Sequence, residues 1–196
     1  MKKTERSAQQ VTPYHHGDLR HALIDAAWNS IEEHGFETLS LAALAKALGV
    51  SQAAPYRHFS DRNALLAAVA VRGFNKFVEG MDNAARSKRK GSVLARMAQA
   101  YVDFGTRHGA IYRLMFASPL LNEVTEDTEL KTAARRSFEF LLEALTDIPN
   151  PQQRKRKALH IWVALHGSVM LANQGLIAEG PVATSLQSLV DTIVEM

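Results

Sequence analysis

The chain has 196 residues, a net charge of +3 and 46% hydrophobic residues, which suits one large or two small globular domains. Cysteine is absent, so disulfides and thiolate metal sites are excluded and a reducing cytoplasm is compatible. The most apolar stretch, His160 to Ile177, is broken by His166, Asn173 and Gln174 and reads as a buried or interfacial helix, not a membrane span. Lys2 and Lys3 have no apolar run behind them, so no signal peptide is expected.

In chain order, the arm Lys2 to Arg6 reads either as a solvated tail or as a segment that orders on a nucleic-acid groove or phosphate. His15 and His16 read as polar surface or phosphate contacts. Leu19 to His34 is amphipathic through Leu23, Ala26, Ala27 and Ile31, and Gly35-Phe36 ends it. Leu41, Leu44, Ala45 and Leu48 form the apolar face of a short helix capped by Ser40 and stopped at Gly49. Ser51 then opens a second helix whose next positions are Gln52, Ala53, Ala54, Tyr56, Arg57 and His58, small or polar groups suited to a major groove. Two helices hinged at one glycine have the layout of a DNA-reading helix-turn-helix. Lys2, Lys3, Arg6, Arg20, Lys46, Arg57 and Arg62 are matched by Glu5, Asp18, Asp25, Glu32, Glu33, Glu37 and Asp61, so any basic surface here must be local.

The remainder reads as helical throughout. A long helix runs from about Arg62 to Ala85, and a second begins after Ser92 and ends near His108-Gly109. A short one carries Ile111, Leu114 and Met115. Thr125 to Thr146 is amphipathic, and Pro149-Asn150-Pro151 breaks it. The next helix is expected to place Leu159, Trp162, Val163, His166, Met170 and Leu171 on one side, and a last helix after Gly180-Pro181 carries Leu186, Leu189, Val190 and Ile193.

From about Tyr14 to Phe77 these motifs resemble the TetR family of bacterial transcription regulators: the first helix, the glycine-aromatic turn, the Gly49-Val50-Ser51 hinge and the Tyr56-Arg57-His58-Phe59 segment. His15-His16-Gly17-Asp18, with Ala54-Pro55-Tyr56, is similar to a branch whose C-terminal domain carries Trp-x-x-x-His-Gly, here Trp162 to Gly167. Two departures stand out. Many members have glycine where Ala53 stands and leucine or isoleucine at Pro55, and proline there removes an amide and biases Ala54 away from helical angles. An irregular start to the recognition helix is therefore expected.

The expected fold is all-α, with an arm and three-helix DNA-binding domain over residues 1–61 and a helical effector-binding and dimerisation domain over 62–196. Gln52, Ala53 and Ala54 are expected to read bases, while Tyr56, His58 and Arg62 hold phosphates. Arg57 suits either role, and the helix starts at Ser40 and Ser51 present free amides to phosphate. The resemblance implies a homodimer across the last two helices, through Leu159, Val163, Leu186, Leu189, Val190 and Ile193. It also implies an effector cavity, to which Tyr101, Phe104, Tyr112, Met115, Phe116, Phe138 and Met170 are the candidate contributors, with His108, Arg113 and His166 as polar anchors. Trp162 and His166 fit either a packed pair or a ligand contact. The function expected is a double-stranded DNA regulator, most often a repressor, reading a pseudo-palindromic operator and released by a small molecule. The alternative is a regulator or organiser whose C-terminal domain binds a protein or no effector. No glycine loop for phosphates, no Gly-x-Ser-x-Gly elbow and no helical histidine pair is present, so neither an enzyme nor a cofactor or metal is expected.

Overall fold

Six helices begin at a side chain that accepts a hydrogen bond from their first free amides, Ser185 accepting from Ser188 N at 3.0 Å before the last of them. Ser40 accepts from Ala43 N at 3.4 Å, Asp61 from Ala64 N at 2.8 Å, and Ser92 from Ala95 N at 3.1 Å. Thr128 accepts from Lys131 N at 3.3 Å, and Asn150 from Gln152 N and Gln153 N at 2.9 and 3.0 Å. These caps divide a computed structural model that describes residues 19–123, 128–177 and 185–195. The arm, His15-His16 and the Gly180-Pro181 break lie outside the described residues, as does Thr125, the expected first residue of a helix.

The described helices are α1 (Leu19–His34), α2 (Leu41–Ala47), α3 (Arg62–Arg86), α4 (Val93–Arg107), α5 (Gly109–Phe116), α6 (Leu120–Glu123), α7 (Glu129–Glu143), α8 (Pro151–Asn173) and α9 (Leu186–Glu195). No strand occurs among the described residues. The fold is all-α. Helix α3 is the spine, packing on α1 near its start and on α4, α5 and α7 beyond it, while α4 and α8 hold α9. Leu23, Ala27 and Ile31 of α1 join Leu65, Val69 and Phe74 of α3 in one buried cluster that continues into α4, α5 and α8. At the α4–α8 crossing the backbones approach so closely that a Cβ on Gly105 would stand 2.5 Å from Val169.

Helix α8 is rotated relative to expectation. The stripe that α8 turns inward is Ala158, Ile161, Leu165, Ser168 and Val169, which leaves Leu159, Val163 and Leu171 exposed and Trp162, His166 and Met170 half-buried. Helix α7 buries Leu130, Ala133, Ser137 and Leu141, with Phe138 at the margin.

Candidate nucleic-acid interface and C-terminal core

Helix α2 ends as its glycine requires. Gly49 adopts φ +68°, its amide bonds Lys46 O at 3.2 Å, and Val50 N reaches back to Ala45 O at 3.0 Å. The chain then turns sharply, but the expected recognition helix is not an α-helix. Residues 51–54 form a turn, with Ala54 N on Ser51 O at 3.0 Å, followed by a single 3-10 turn at Pro55–Arg57. The Ser51 carbonyl, and not its side chain, makes that first bond, so the expected hydroxyl cap is absent. Pro55 has no amide to extend a helix, and its own carbonyl accepts from both His58 N and Phe59 N at 3.0 Å, but Ala54 before it keeps helical angles, φ −61° and ψ −43°, against the bias expected from the proline.

The turn sorts its side chains in two. Pro55 and Phe59 are buried beneath it, while Gln52, Ala53, Tyr56 and Arg57 face outward, Tyr56 with 56% of its surface exposed. Ala54 and His58 are half-buried. Arg20 of α1 lies over the Phe59 ring at 5.4 Å and closes the side of this floor.

Arg62 corrects the sequence reading. Its guanidinium donates to Leu39 O at 3.0 Å, to Glu37 O at 3.1 Å and to Phe36 O. These carbonyls belong to the α1–α2 connection, so Arg62 clasps the first two helices to the start of α3, and its Nε and Nη2 donors are taken up by the protein. Arg96 does the same at the far end of α3, binding Ala84 O at 3.0 Å, Ala85 O at 2.9 Å and Gly91 O at 2.6 Å.

The eleven residues expected around an effector separate into three environments. Tyr101, Tyr112 and Met115 are core, with Tyr101 OH and Tyr112 OH 2.8 Å apart and Tyr112 OH 2.7 Å from His166 Nδ1. Burial pushes both phenols far above their usual range, the neighbouring Tyr101 adding to the effect at Tyr112, and burial holds the His166 imidazole below its usual value. All three are neutral at neutral pH. Phe104, Phe116, Phe138, Trp162, His166 and Met170 form a half-buried aromatic margin, in which Trp162 stacks on His166 with centroids 5.6 Å apart.

The third group, His108 and Arg113, pairs with α1 and the loop that follows it. His108 Nδ1 is 2.5 Å from Glu32 of α1 and its ring meets Trp28 edge-on at 5.4 Å. Arg113 donates to Glu37 at 2.7 Å and lies over Phe36 at 5.7 Å. Helix α5 therefore carries Tyr112 on the core and Arg113 on the N-terminal domain, with His108 at the residue before it. Sequence reasoning did not single out the partners Glu32 and Glu37 for this role, and an isolated acidic residue gives no local signal for it.

The dimer expectation is also revised in part. Val190 and Ile193 are 0% and 5% exposed within one subunit, because α9 lies on α4 and α8. Leu186 and Leu189 are half-buried, while Leu159 and Val163 remain open at 45% and 56%. Among the described residues no helix is long and apolar enough to cross a membrane, and no group of three metal-ligating side chains is gathered.

Comparison with known proteins bears on this arrangement. Residues 23–69 match the model for bacterial regulatory proteins of the tetR family, and residues 94–195 match the tetracyclin repressor-like C-terminal domain. The chain is 32% identical over 90 residues to the uncharacterized HTH-type transcriptional regulator YobS of Bacillus subtilis (strain 168), a match covering 46% of this chain and 47% of that protein. A solved protein of unknown function from Rhodococcus sp. RHA1 is 30% identical, with TM-score 0.77 over 93% of this chain and 97% of its own. AibR, solved in complex with isovaleryl coenzyme A and operator DNA, shares the fold at 18% identity and TM-score 0.61, over 90% of this chain and 96% of its own. With helix-turn-helix and C-terminal domain both matched, the chain belongs to the TetR family of DNA-binding transcription regulators.

Proposed function

We propose that this protein is a homodimeric repressor that acts on DNA in the cytoplasm, reads a two-fold symmetric operator with the Ser51–His58 turn, and is modulated by a small molecule bound in its C-terminal domain. The observation that carries the reading is the outward edge of Gln52, Ala53, Tyr56 and Arg57 over a floor of buried Pro55 and Phe59. Gln52 offers an amide donor and acceptor to an adenine edge, and Ala53 allows close approach to a thymine methyl. Tyr56 and Arg57 are placed to reach phosphate, with His58 and the amides at Ser40 and Ser51 beside them. The Trp162-to-Gly167 signature supports placing the chain in the branch with that C-terminal motif.

Dimerisation is supported by the outer face of α8. Leu159, Val163 and Leu171 are exposed along it, and a Cβ added to Gly167 would meet nothing, so a second copy of α8 has an apolar and open surface to approach. Two turns on a two-fold axis would then enter successive major grooves, about one helical turn or slightly more apart. Effector control is supported by the α5 bracket: a shift of Tyr112 in the core is passed to Arg113, and so to the loop that Arg62 also holds.

Selection of bound sequences from a random DNA pool tests the reading. A two-fold symmetric motif is expected, and Gln52→Ala should change base preference at one or two positions of each half-site by about 1 to 3 kcal/mol. An unchanged motif and affinity would remove Gln52 from the readout. Val163→Glu places an unpaired charge in the proposed seam and should give monomers by sedimentation, with operator affinity lost because the two half-sites are no longer tethered. A Val163→Glu dimer with normal operator binding would move the interface elsewhere.

The alternative, an organiser of DNA with no effector, is favoured by one observation, the near-complete filling of the core beside Tyr101, where a void of only about 10 Å³ remains. Operator affinity indifferent to every compound in a broad screen would support it.

A further inference from the structure

That void has an unusual roof. Met81 of α3, Met97 and Tyr101 of α4, Leu141 of α7, and Trp162 and Leu165 of α8 line it. About 10 Å³ admits one water at most. The walls are deformable, however, because two of them are methionines, unbranched side chains that repack at little cost.

Trp162 and Leu94 are the half-buried side chains of this lining, and Trp162 is the larger. It is held by a stack on His166 and by ring edges from Phe138 at 6.2 Å and Phe116 at 6.5 Å. Its indole N–H makes no hydrogen bond among the described residues, so swinging the ring outward exposes apolar surface but breaks no polar contact. The Tyr101–Tyr112–His166 chain stays intact behind it, since His166 is tied through Nδ1 to Tyr112 and not to Trp162.

We propose that Trp162 is a gate, and that the space it vacates is a binding site for a compact, uncharged, apolar molecule of one ring or a short alkyl chain. This rests on the effector reading above and gives it a place and a ligand class. Charge is excluded by the lining, which contains no ionised side chain, so a carboxylate or ammonium would be buried without a partner. One hydroxyl on the ligand can be accommodated. Ser137 borders the void, donates to Ala134 O at 2.7 Å and keeps lone pairs free to accept.

The chain has two tryptophans, Trp28 and Trp162, so the full-length protein shows two indole N–H resonances by NMR, which Trp28→Phe assigns. Titration with toluene and with p-cresol is expected to shift the Trp162 resonance saturably, and benzoate at neutral pH is expected to leave it in place. Trp162→Ala and Trp162→Phe should bind toluene about three- to tenfold more tightly by calorimetry, because a closed gate lowers apparent affinity by its open fraction. Trp162→Phe keeps a ring against His166 and carries the comparison if the alanine variant does not fold. The absence of a saturable shift, an equal response to benzoate, or weaker binding by the foldable variants would each overturn the gate. Operator affinity is measured separately: toluene that binds at Trp162 but leaves operator affinity unchanged overturns the effector reading while the gate stands.

Discussion

The DNA-reading turn and the C-terminal aromatic core are both irregular in their use of polar groups, but they are stabilised from different sides. In the turn, two buried residues, Pro55 and Phe59, support four exposed ones, and the polar atoms of the outer edge have water as their alternative partner. In the core, Tyr101 and Tyr112 are enclosed on all sides and their hydroxyls satisfy one another and His166. The outer edge of the turn can therefore be altered at little cost to stability, and it is free to follow an operator sequence. The core chain cannot be altered so freely. A buried hydroxyl without its partner costs about 1 to 3 kcal/mol.

The largest expected effect lies within the turn, between residues three apart. Phe59→Ala removes a ring with 4% exposure from the shared core and should destabilise by about 3 to 5 kcal/mol, read as a lower midpoint in urea. Tyr56→Ala should change stability by no more than about 0.5 kcal/mol and yet weaken operator binding. A Tyr56→Ala protein as unstable as Phe59→Ala would abolish the distinction between floor and edge.

Arginine sharpens the same contrast at smaller magnitude. Arg62→Ala frees three carbonyls of the α1–α2 connection and should lower stability by about 1.5 kcal/mol, the scale of a hydrogen bond to a charged group. Its operator affinity should fall through misplacement of the turn, with the salt dependence of binding unaltered. Arg57→Ala should do the reverse, keeping stability and reducing the slope of log affinity against log salt by about one. Equal salt slopes for the two variants would return Arg62 to the phosphates.

How much of this was legible in the chain follows from where the information sits. The periods and caps of α1 and α8 are local, and their bounds follow from Gly35, Asn150 and Pro151. The hinge at Gly49 is local too. The orientation of α8 is not, because it has two apolar faces, Ile161-Leu165-Val169 inside and Leu159-Val163 outside, and a helical period is satisfied by either. Arg62 and Arg154 each bind backbone carbonyls of a neighbouring loop, Arg154 holding Ile148 O at 2.7 Å, and Arg96 binds those of the end of α3 and the loop after it. Composition alone cannot separate such clasps from an arginine that faces DNA. His108 and Arg113 were misplaced for the same reason, since their partners Glu32 and Glu37 lie 76 residues away in sequence.

The smallest expected effect concerns protons in the core. Burial lowers the His166 pKa in the folded chain, so between that lowered value and the ordinary histidine value of about 6.5 the unfolded chain binds the extra proton. The stability contributed by the neutral imidazole is thus complete above about pH 6.5 and is lost as pH falls through the folded value. A protonated imidazole can only donate through Nδ1, so Tyr112 OH would then accept from it and be left to donate to Tyr101 OH. Half-exposure of the ring limits the size of the effect. In His166→Gln the drop in stability from neutral to mildly acidic pH should be shallower than in the parent, as urea midpoints at a series of pH values would show. If His166→Gln kept a profile as steep as the parent's, the proton-sensitive region would lie outside the aromatic core and the contrast between core and turn would lose its pH dependence.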